Sequence, residues 1–160
     1  MGEPALTLTY QCTIDGIIPL GTWTKIEGLA FSHEVHEYRE GGLNSHTRKI
    51  VGPVKYENVR LSRPVDSDSM LISVWLMANL VKIVPQTMSI TALDSTGKEV
   101  TVWNLAGVVP VKWSGPTLDV NGNQVAMETL ELAYDEMIGL GALGGALAMG
   151  MTISGDLSLL

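Results

Sequence analysis

Residues 5–14 read ALTLTYQCTI, with an apolar side chain at every second position from Leu6 to Ile14 and threonine or glutamine between them. Because successive side chains of a β-strand point to opposite faces, this period of two predicts a strand with one buried face. Cys12 lies on the apolar side of the alternation and is predicted to be a small core residue. Asp15 and Gly16 follow and predict a break in the strand.

The chain keeps this strand-like character up to about residue 134. Further strands are predicted at residues 23–29, 32–39, 54–62, 88–93, 99–105, 109–113 and 125–134. Asp94-Ser95-Thr96-Gly97 predicts the turn of a hairpin, and Asn121-Gly122 predicts another turn. The predicted fold class is therefore mainly β.

One segment has helical character instead. Four apolar side chains recur there at helical spacing: Leu71, Val74, Trp75 and Ala78. Ser67-Asp68-Ser69 precedes them and offers the side chains that cap helix N-termini. Together these features predict a single helix over about residues 67–80.

The length of the chain sets its domain organisation. A chain of 160 residues forms one domain with a full core, and no repeat or polar linker divides this one. We predict a β domain over residues 1–136 and an apolar, glycine-rich tail over residues 137–160. Residues 137–155 contain six glycines and no charge. A membrane segment is disfavoured, because the glycines dilute the hydrophobicity and no positive charge flanks the run; we expect the tail to dock on an assembly of the protein.

The composition favours an assembling protein. Charged residues make up only 17% of the chain against 46% hydrophobic residues, which suggests that apolar surface is buried between chains. The net charge of −7 and the lack of a basic cluster argue against binding to nucleic acid. Glu3 and Pro4 stand where a signal peptide needs neither, so synthesis in the cytoplasm is expected.

No constellation of residues predicts catalysis, a metal or a cofactor. His33 and His36 point to opposite faces of a predicted strand, whereas a metal needs its ligands on one side. Glu128 and Glu131 are three apart on another predicted strand and do not form a carboxylate pair for the same reason. An enzyme is therefore not expected. A small-ligand-binding β-barrel stays open as an alternative, although no convergent polar cluster favours it.

Four stretches, in order, resemble a known family. They are Trp23–Leu29 (WTKIEGL), Glu37–Gly42 (EYREGG) with Asn44 after it, Lys55–Arg63 (KYENVRLSR), and Pro110–Leu118 (PVKWSGPTL) running into Val125–Ala133 (VAMETLELA). Their order and spacing are similar to those of the tail-tube proteins of contractile phages and related injection systems, which share the Hcp-like fold.

The resemblance implies a fold and a function. The fold is an antiparallel β-barrel or sandwich of the Hcp type that closes into a large barrel when a ring assembles. The function is structural: hexameric rings stack around a channel to form the inner tube of a phage tail or contractile injection system. The implied partners are further copies, a sheath protein, the baseplate or spike and a tube terminator, with DNA or a protein cargo able to pass through the channel. A baseplate-proximal tube initiator of the same fold is the alternative.

The resemblance also implies which residues make ring and inter-ring contacts. These are Glu37, Tyr38, Arg39, Glu40, Gly41, Gly42, Asn44, Lys112, Trp113, Gly115 and Pro116. Composition alone would make residues 37–40 a solvated strand end with local ion pairs; the resemblance favours a loop that contacts the adjacent ring. Six copies carry 6 × −7 = −42 formal charges, so we expect a channel wall that is negative or neutral.

Overall fold

A computed structural model of the protein describes residues 7–42 and 45–140. Within these ranges the chain is mainly antiparallel β with one helix, as predicted, and the helix α1 spans Ser69–Val81. The strands are β1 (Thr9–Ile14), β2 (Ile18–Trp23), β3 (Lys25–Glu27), β4 (Phe31–Tyr38), β5 (Arg48–Tyr56), β6 (Val59–Pro64), β7 (Gln86–Leu93), β8 (Glu99–Ser114), β9 (Met127–Ala133) and β10 (Glu136–Leu140).

Eight strands form the main sheet, in the order β2-β1-β7-β8-β9-β6-β3, with β10 added beside β8. The long strand β8 joins the two halves of this sheet. Its first half pairs with β7 and β10, and its second half, from Val109, pairs with β9. The sequence pattern predicted two strands here, at 99–105 and 109–113. They are one continuous strand because Gly107, at φ 70°, lets the backbone bend where a side chain would collide with Asp135.

The strand β10 begins at Glu136 and continues to Leu140. It follows β9 after a short break and runs antiparallel to the first half of β8, from Ala106 to Trp103. The sheet thus reaches four residues into the segment that was predicted as a tail. Residues 141–160 lie outside the described residues, so the division into a domain and a tail stays a prediction.

The core lies between the two halves of the sheet and the helix. Its buried apolar side chains are Cys12, Ile14, Leu20, Trp23, Val59, Leu61, Ile72, Trp75, Met88, Ile90, Leu105, Val108, Leu130, Leu132 and Tyr134. The predicted core position of Cys12 is confirmed, and burial raises the pKa of its thiol well above the usual range. A protonated, buried thiol is a packing group and not a nucleophile.

Helix α1 has the predicted bounds within two residues, and its N-cap lies within the predicted Ser67-Asp68-Ser69, but the expected capping hydrogen bond is not made. Asp68 occupies the cap position without a capping hydrogen bond from its side chain, and Ser69 instead donates its hydroxyl to Glu128. The buried helical residues are Ile72, Trp75 and Asn79. Of the four residues that indicated the helical spacing, only Trp75 is buried. Apolar side chains lie on every side of this helix, so their spacing does not indicate which side faces the core.

Two predicted strands are each divided in the structure. The predicted strand at 54–62 is the end of β5 and the start of β6, which separate at residues 57–58. The predicted strand at 23–29 is the end of β2 followed by the short β3. Gly28 ends this stretch at φ 89°, where a Cβ would overlap the carbonyl oxygen of Asn58. This close approach lies at residues 57–58, where β5 and β6 separate, and directly after the end of β3, whereas the break between β2 and β3 lies at Thr24.

The predicted turns are confirmed. In the hairpin between β7 and β8, the amide of Gly97 donates to the carbonyl oxygen of Asp94 at 3.0 Å. In the segment between β8 and β9, the amide of Gly122 donates to the carbonyl oxygen of Asp119 at 3.3 Å. Asp15, in the turn between β1 and β2, adopts φ 51°, a left-handed conformation that aspartate and asparagine tolerate.

Asp15 also ties this turn to β7, and its charge should make stability depend on pH. The amide of Thr87, its hydroxyl and the Gln86 side chain all donate to the carboxylate, which lowers the pKa of Asp15. Because the pKa of Asp15 is lower in the folded than in the unfolded state, its charge stabilises the folded protein at pH values above the unfolded pKa of about 3.9. This stabilisation is lost as the pH falls through the folded pKa. We expect Asp15→Asn to lower the melting temperature by about 1–2 °C at pH 6, a small effect because the carboxylate is exposed and screened by solvent.

The difference between Asp15→Asn and the parent protein should shrink as the pH falls through the folded pKa of Asp15, because the carboxyl then becomes neutral, as the amide is at every pH. Thermal unfolding followed by circular dichroism between pH 2.5 and 6 measures it. A difference that is equal at all pH values would mean that the charge of Asp15 does not contribute.

Candidate assembly surfaces

Strands β4 and β5 form a hairpin that stands apart from the main sheet. They pair with each other and, among the described residues, with no other strand. Every residue of β4 is exposed. The base of the hairpin is anchored by Tyr56, whose ring centre lies 5.5 Å from that of Tyr134 in the core. An isolated two-stranded hairpin is marginally stable in water, so its surface is suited to contact with another chain.

Both faces of this hairpin carry apolar side chains. Directly opposite residues share a face, and on one face these are Val35 with Val51 and Glu37 with Lys49. On the other face they are His36 with Ile50 and Tyr38 with Arg48. The exposed apolar side chains along it are Phe31, Val35, Tyr38, Ile50, Val51 and Val54. The hairpin therefore has no purely polar side to present to solvent.

The hairpin also differs in charge from the rest of the chain. Residues 31–56 contain four Lys or Arg and three Asp or Glu, which gives +1, and the chain as a whole carries −7. The remaining residues therefore carry −7 − 1 = −8. All three histidines also lie in this hairpin. The projecting element thus complements in charge the body of another copy.

The outer face of helix α1 is apolar and uncharged. No residue from Ser69 to Val81 is charged. The most exposed of its apolar side chains are Met70, Val74, Met77, Leu80 and Val81, at 62–89% of full exposure. A continuous apolar face of this kind marks a contact surface rather than a solvent face.

Apolar grooves run along both flanks of this helix. The first, of about 440 Å³, lies between α1 and the second half of β8, with Leu76, Leu80 and Trp113 among its walls. The second, of about 510 Å³, lies between α1 and the edge strand β2, where Ile18 faces Val74 across it. The apolar surface therefore continues from the helix onto the strands on either side, and the charged residues that line the two grooves are Lys112 in the first and Lys82 in the second.

Both of those strands have an open edge. The second half of β8 pairs with β9 on one side, and β7 reaches only as far as Val108 on the other. Strand β2 pairs with β1 alone. Among the described residues no strand pairs with either edge, although at β2 Arg63 Nη1 donates to the carbonyl oxygens of Leu20 and Thr22 at 3.2 and 3.3 Å. Open edges expose unpaired amide and carbonyl groups, which pair readily with a strand of another chain.

A buried ion pair links these surfaces to the core. Arg63 on β6 and Glu128 on β9 are 1% and 2% exposed, and Arg63 Nε donates to Glu128 Oε1 at 2.7 Å. The same carboxylate accepts the hydroxyl of Ser69, at the start of α1, at 2.8 Å, and Nε1 of Trp113, on the open half of β8, at 3.4 Å. The guanidinium also lies 4.4 Å above the ring of Trp23. Glu128 thus joins the helix and the open strand edge.

This pair was not predicted from the sequence, although a signal was present. Glu128 is in phase with Leu130 and Leu132, whose side chains are buried, whereas Glu131 is on the other face. The two glutamates do lie on opposite faces, as predicted. Glu131 pairs instead with Arg60 at 3.6 Å and accepts a hydrogen bond from Asn58 at 3.2 Å. A charged residue in phase with buried leucines predicts a buried partner.

The predicted contact residues fall into two groups on different elements. Glu37 and Tyr38 end β4, and residues 39–42 continue into the connection between β4 and β5. There, Arg48 Nη1 lies 3.3 Å from Glu40 Oε1. Asn44 lies outside the described residues. Lys112 and Trp113 lie on the open half of β8, and Gly115 and Pro116 follow it directly. Gly115 lies so close to the Trp113 ring that an added Cβ would be 2.8 Å from it.

Within residues 7–42 and 45–140, no group of three or more His, Cys, Asp or Glu is placed to hold a metal ion. In the same ranges, no helix has both the length and the hydropathy required to cross a membrane.

Comparison with known proteins gives one family and several similar structures. Residues 7–138 match the family model described as T4-like virus tail tube protein gp19. A chain in the six-fold symmetrised baseplate of the anti-feeding prophage is 29% identical, with a TM-score of 0.68 over 86% of this chain and 95% of that one. A chain in the extended sheath-tube complex of an extracellular contractile injection system, PVC, is 20% identical, with a TM-score of 0.69 over 86% and 90%.

A more distant similarity extends to a type six secretion system protein. It is 16% identical, with a TM-score of 0.53 over 82% of each chain, which shows a shared fold. No curated protein is significantly similar to the chain in sequence.

Proposed function

Because the chain belongs to the T4-like virus tail tube protein family, a family of structural proteins and not of enzymes, we propose that six copies close into a ring and that rings stack into the inner tube of a contractile injection system or phage tail. The pair of open strand edges on either side of an uncharged helix carries the proposal for the ring. Edges of this kind disappear when neighbouring copies pair and the sheets close into one large barrel.

The projecting hairpin supports the stacking of rings. Its net charge of +1 favours docking on the body of a copy in the next ring, since the rest of each chain carries −8. In this arrangement Glu37, Tyr38 and residues 39–42 and 44 make contacts between rings. Lys112, Trp113, Gly115 and Pro116, at the open edge of β8, make contacts within a ring.

The comparisons suggest the partners of the tube. The similar structures include a sheath-tube complex, a baseplate and a sheath/tube terminator of contractile particles. We infer that this chain works with proteins of the same three kinds, a sheath, a baseplate and a terminator, in a phage tail or tail-like particle.

A second candidate is a tube initiator next to the baseplate. One observation favours it: the chain from the baseplate structure is 29% identical, against 20% for the chain from the sheath-tube complex. An initiator would form one or two rings on the baseplate, whereas a bulk tube protein would form long tubes from its own copies.

The purified protein should form rings of about 103 kDa, six times the 17.2 kDa of one chain, and stacks of such rings at higher concentration. Mass photometry and negative-stain electron microscopy measure this directly. Rings that never stack would favour the initiator. Protein that stays monomeric at high concentration would contradict both candidates.

Two valine variants form a matched control for that experiment. Val111, on the open half of β8, and Val120, in the segment between β8 and β9, are both exposed, at 54% and 102%. Val111→Asp should prevent ring formation, because it places a charge where the neighbouring strand pairs. Val120→Asp should form rings normally, and loss of rings in both variants would show only a general effect of added charge.

A further inference from the structure

The uncharged face of α1 borders a groove that the described part of the chain leaves open. The groove between α1 and β8 is walled by apolar side chains of both elements, and its one charged lining residue among those described is Lys112. It follows the open edge of β8, so whatever fills it lies beside the proposed contact between neighbouring copies.

Residues 141–160 have the composition that fits this groove. They read GALGGALAMGMTISGDLSLL, with Asp156 as their one charged residue, one threonine and two serines, and small or flexible apolar residues at most other positions. Leucine and methionine side chains fill apolar grooves without the cost of removing a charge from water, and glycine allows a close approach of backbones. The single acidic residue of the segment complements the single basic residue of the groove.

The course of β10 directs this segment away from the groove of its own copy. β10 runs antiparallel to β8 and ends opposite Trp103, so the chain leaves it toward the start of β8. The groove lies at the other end of β8, at Pro110–Trp113. At about 3.3 Å per residue, the distance back from Trp103 to Val111 is roughly 26 Å. Twenty residues span up to about 70 Å, which also reaches a neighbouring copy.

We propose that residues 141–160 of one copy bind the groove between α1 and β8 of the adjacent copy, with Asp156 facing Lys112. This inference rests on the proposed ring assembly and adds to it a strap that links consecutive copies. The occupant of the groove is residues 141–160 of another copy of this protein, so the apolar helix face is covered by the assembly itself.

Disulfide trapping tests the placement. The variants Leu80→Cys, on the helix face, and Met149→Cys, in the segment, are mixed before assembly and oxidised; the native Cys12 is buried and does not compete. We expect a disulfide-linked dimer of about 34 kDa, twice the 17.2 kDa of one chain, on a non-reducing gel. The matched control, Val120→Cys with Met149→Cys, should give no dimer.

A charge exchange provides a second readout. Lys112→Glu and Asp156→Lys should each reduce the yield of that dimer, by up to about fivefold, and the two changes together should restore it. Restoration by the double exchange is not expected if Lys112 acts only through the fold or through another partner.

The outcomes separate this inference from the proposed function. If the wild-type protein forms rings but the mixed cysteine variants give no cross-link, the strap alone is overturned. A cross-link within a single chain, when Leu80→Cys and Met149→Cys are placed in the same protein, would also overturn it. A dimer formed by Leu80→Cys with itself would show that the helix faces of two copies meet each other, and would also overturn it. Wild-type protein that forms no rings would contradict the proposed function as well.

Discussion

Replacing Arg63 by methionine is expected to lower the free energy of unfolding by about 3–5 kcal/mol, because it leaves the carboxylate of Glu128 buried without its partner. Domains of this size have about 5–15 kcal/mol of stability, so the variant should unfold at a temperature lower by roughly 10 °C or more. Denaturant unfolding of the dilute, unassembled protein measures the loss. A change below about 1 kcal/mol would contradict the prediction.

A matched variant on the same strand distinguishes burial from charge. Arg60 pairs with Glu131 across the same two strands, at 3.6 Å, but it is exposed. Arg60→Met should therefore cost less than about 1 kcal/mol. The double variant Arg63→Met/Glu128→Leu should recover most of the loss, because an apolar pair of similar volume needs no ionic partner. If Arg63→Met and Arg60→Met lowered the free energy of unfolding by the same amount, burial would not be the cause of the loss.

Shortening the projecting hairpin is expected to abolish stacking and leave the fold intact. Residues 34–53 are replaced by Asn-Gly, which connects His33 and Val54, a directly opposite pair, with a two-residue turn. The main sheet is hydrogen-bonded without these strands, so the melting temperature of the monomer should stay within a few degrees. The grooves and open edges remain, so rings should form. Negative-stain microscopy should show rings and no tubes.

The control for this variant changes another turn. Ser95 and Thr96, at the tip of the β7–β8 hairpin, are replaced by Asn-Gly, which should leave both rings and tubes as they are. Tubes of normal length from the shortened protein would contradict the role of the hairpin between rings. Loss of rings as well as tubes would place the hairpin contact within the ring instead.

The elements that could be predicted from sequence are those whose signals are local. The alternation from Leu6 to Ile14 predicted β1 and the burial of Cys12, because strand geometry alone assigns alternate side chains to opposite faces. The Asp94–Gly97 turn and the bounds of α1 followed from turn chemistry and from helical spacing. Four ordered stretches also identified the family, which the match over residues 7–138 confirmed.

What the sequence by itself determined is thus the mainly β character of the chain, the first strand, the single helix and the family, since each depends on residues near one another in the chain. Only the tertiary structure decided which face of α1 is covered, because this uncharged helix has apolar residues on every side and its sequence does not indicate the buried one. It also decided that β4 and β5 leave the sheet and that Glu128 meets Arg63, 65 residues away. These features depend on how distant segments are brought together, and burial then determines the energy of each contact.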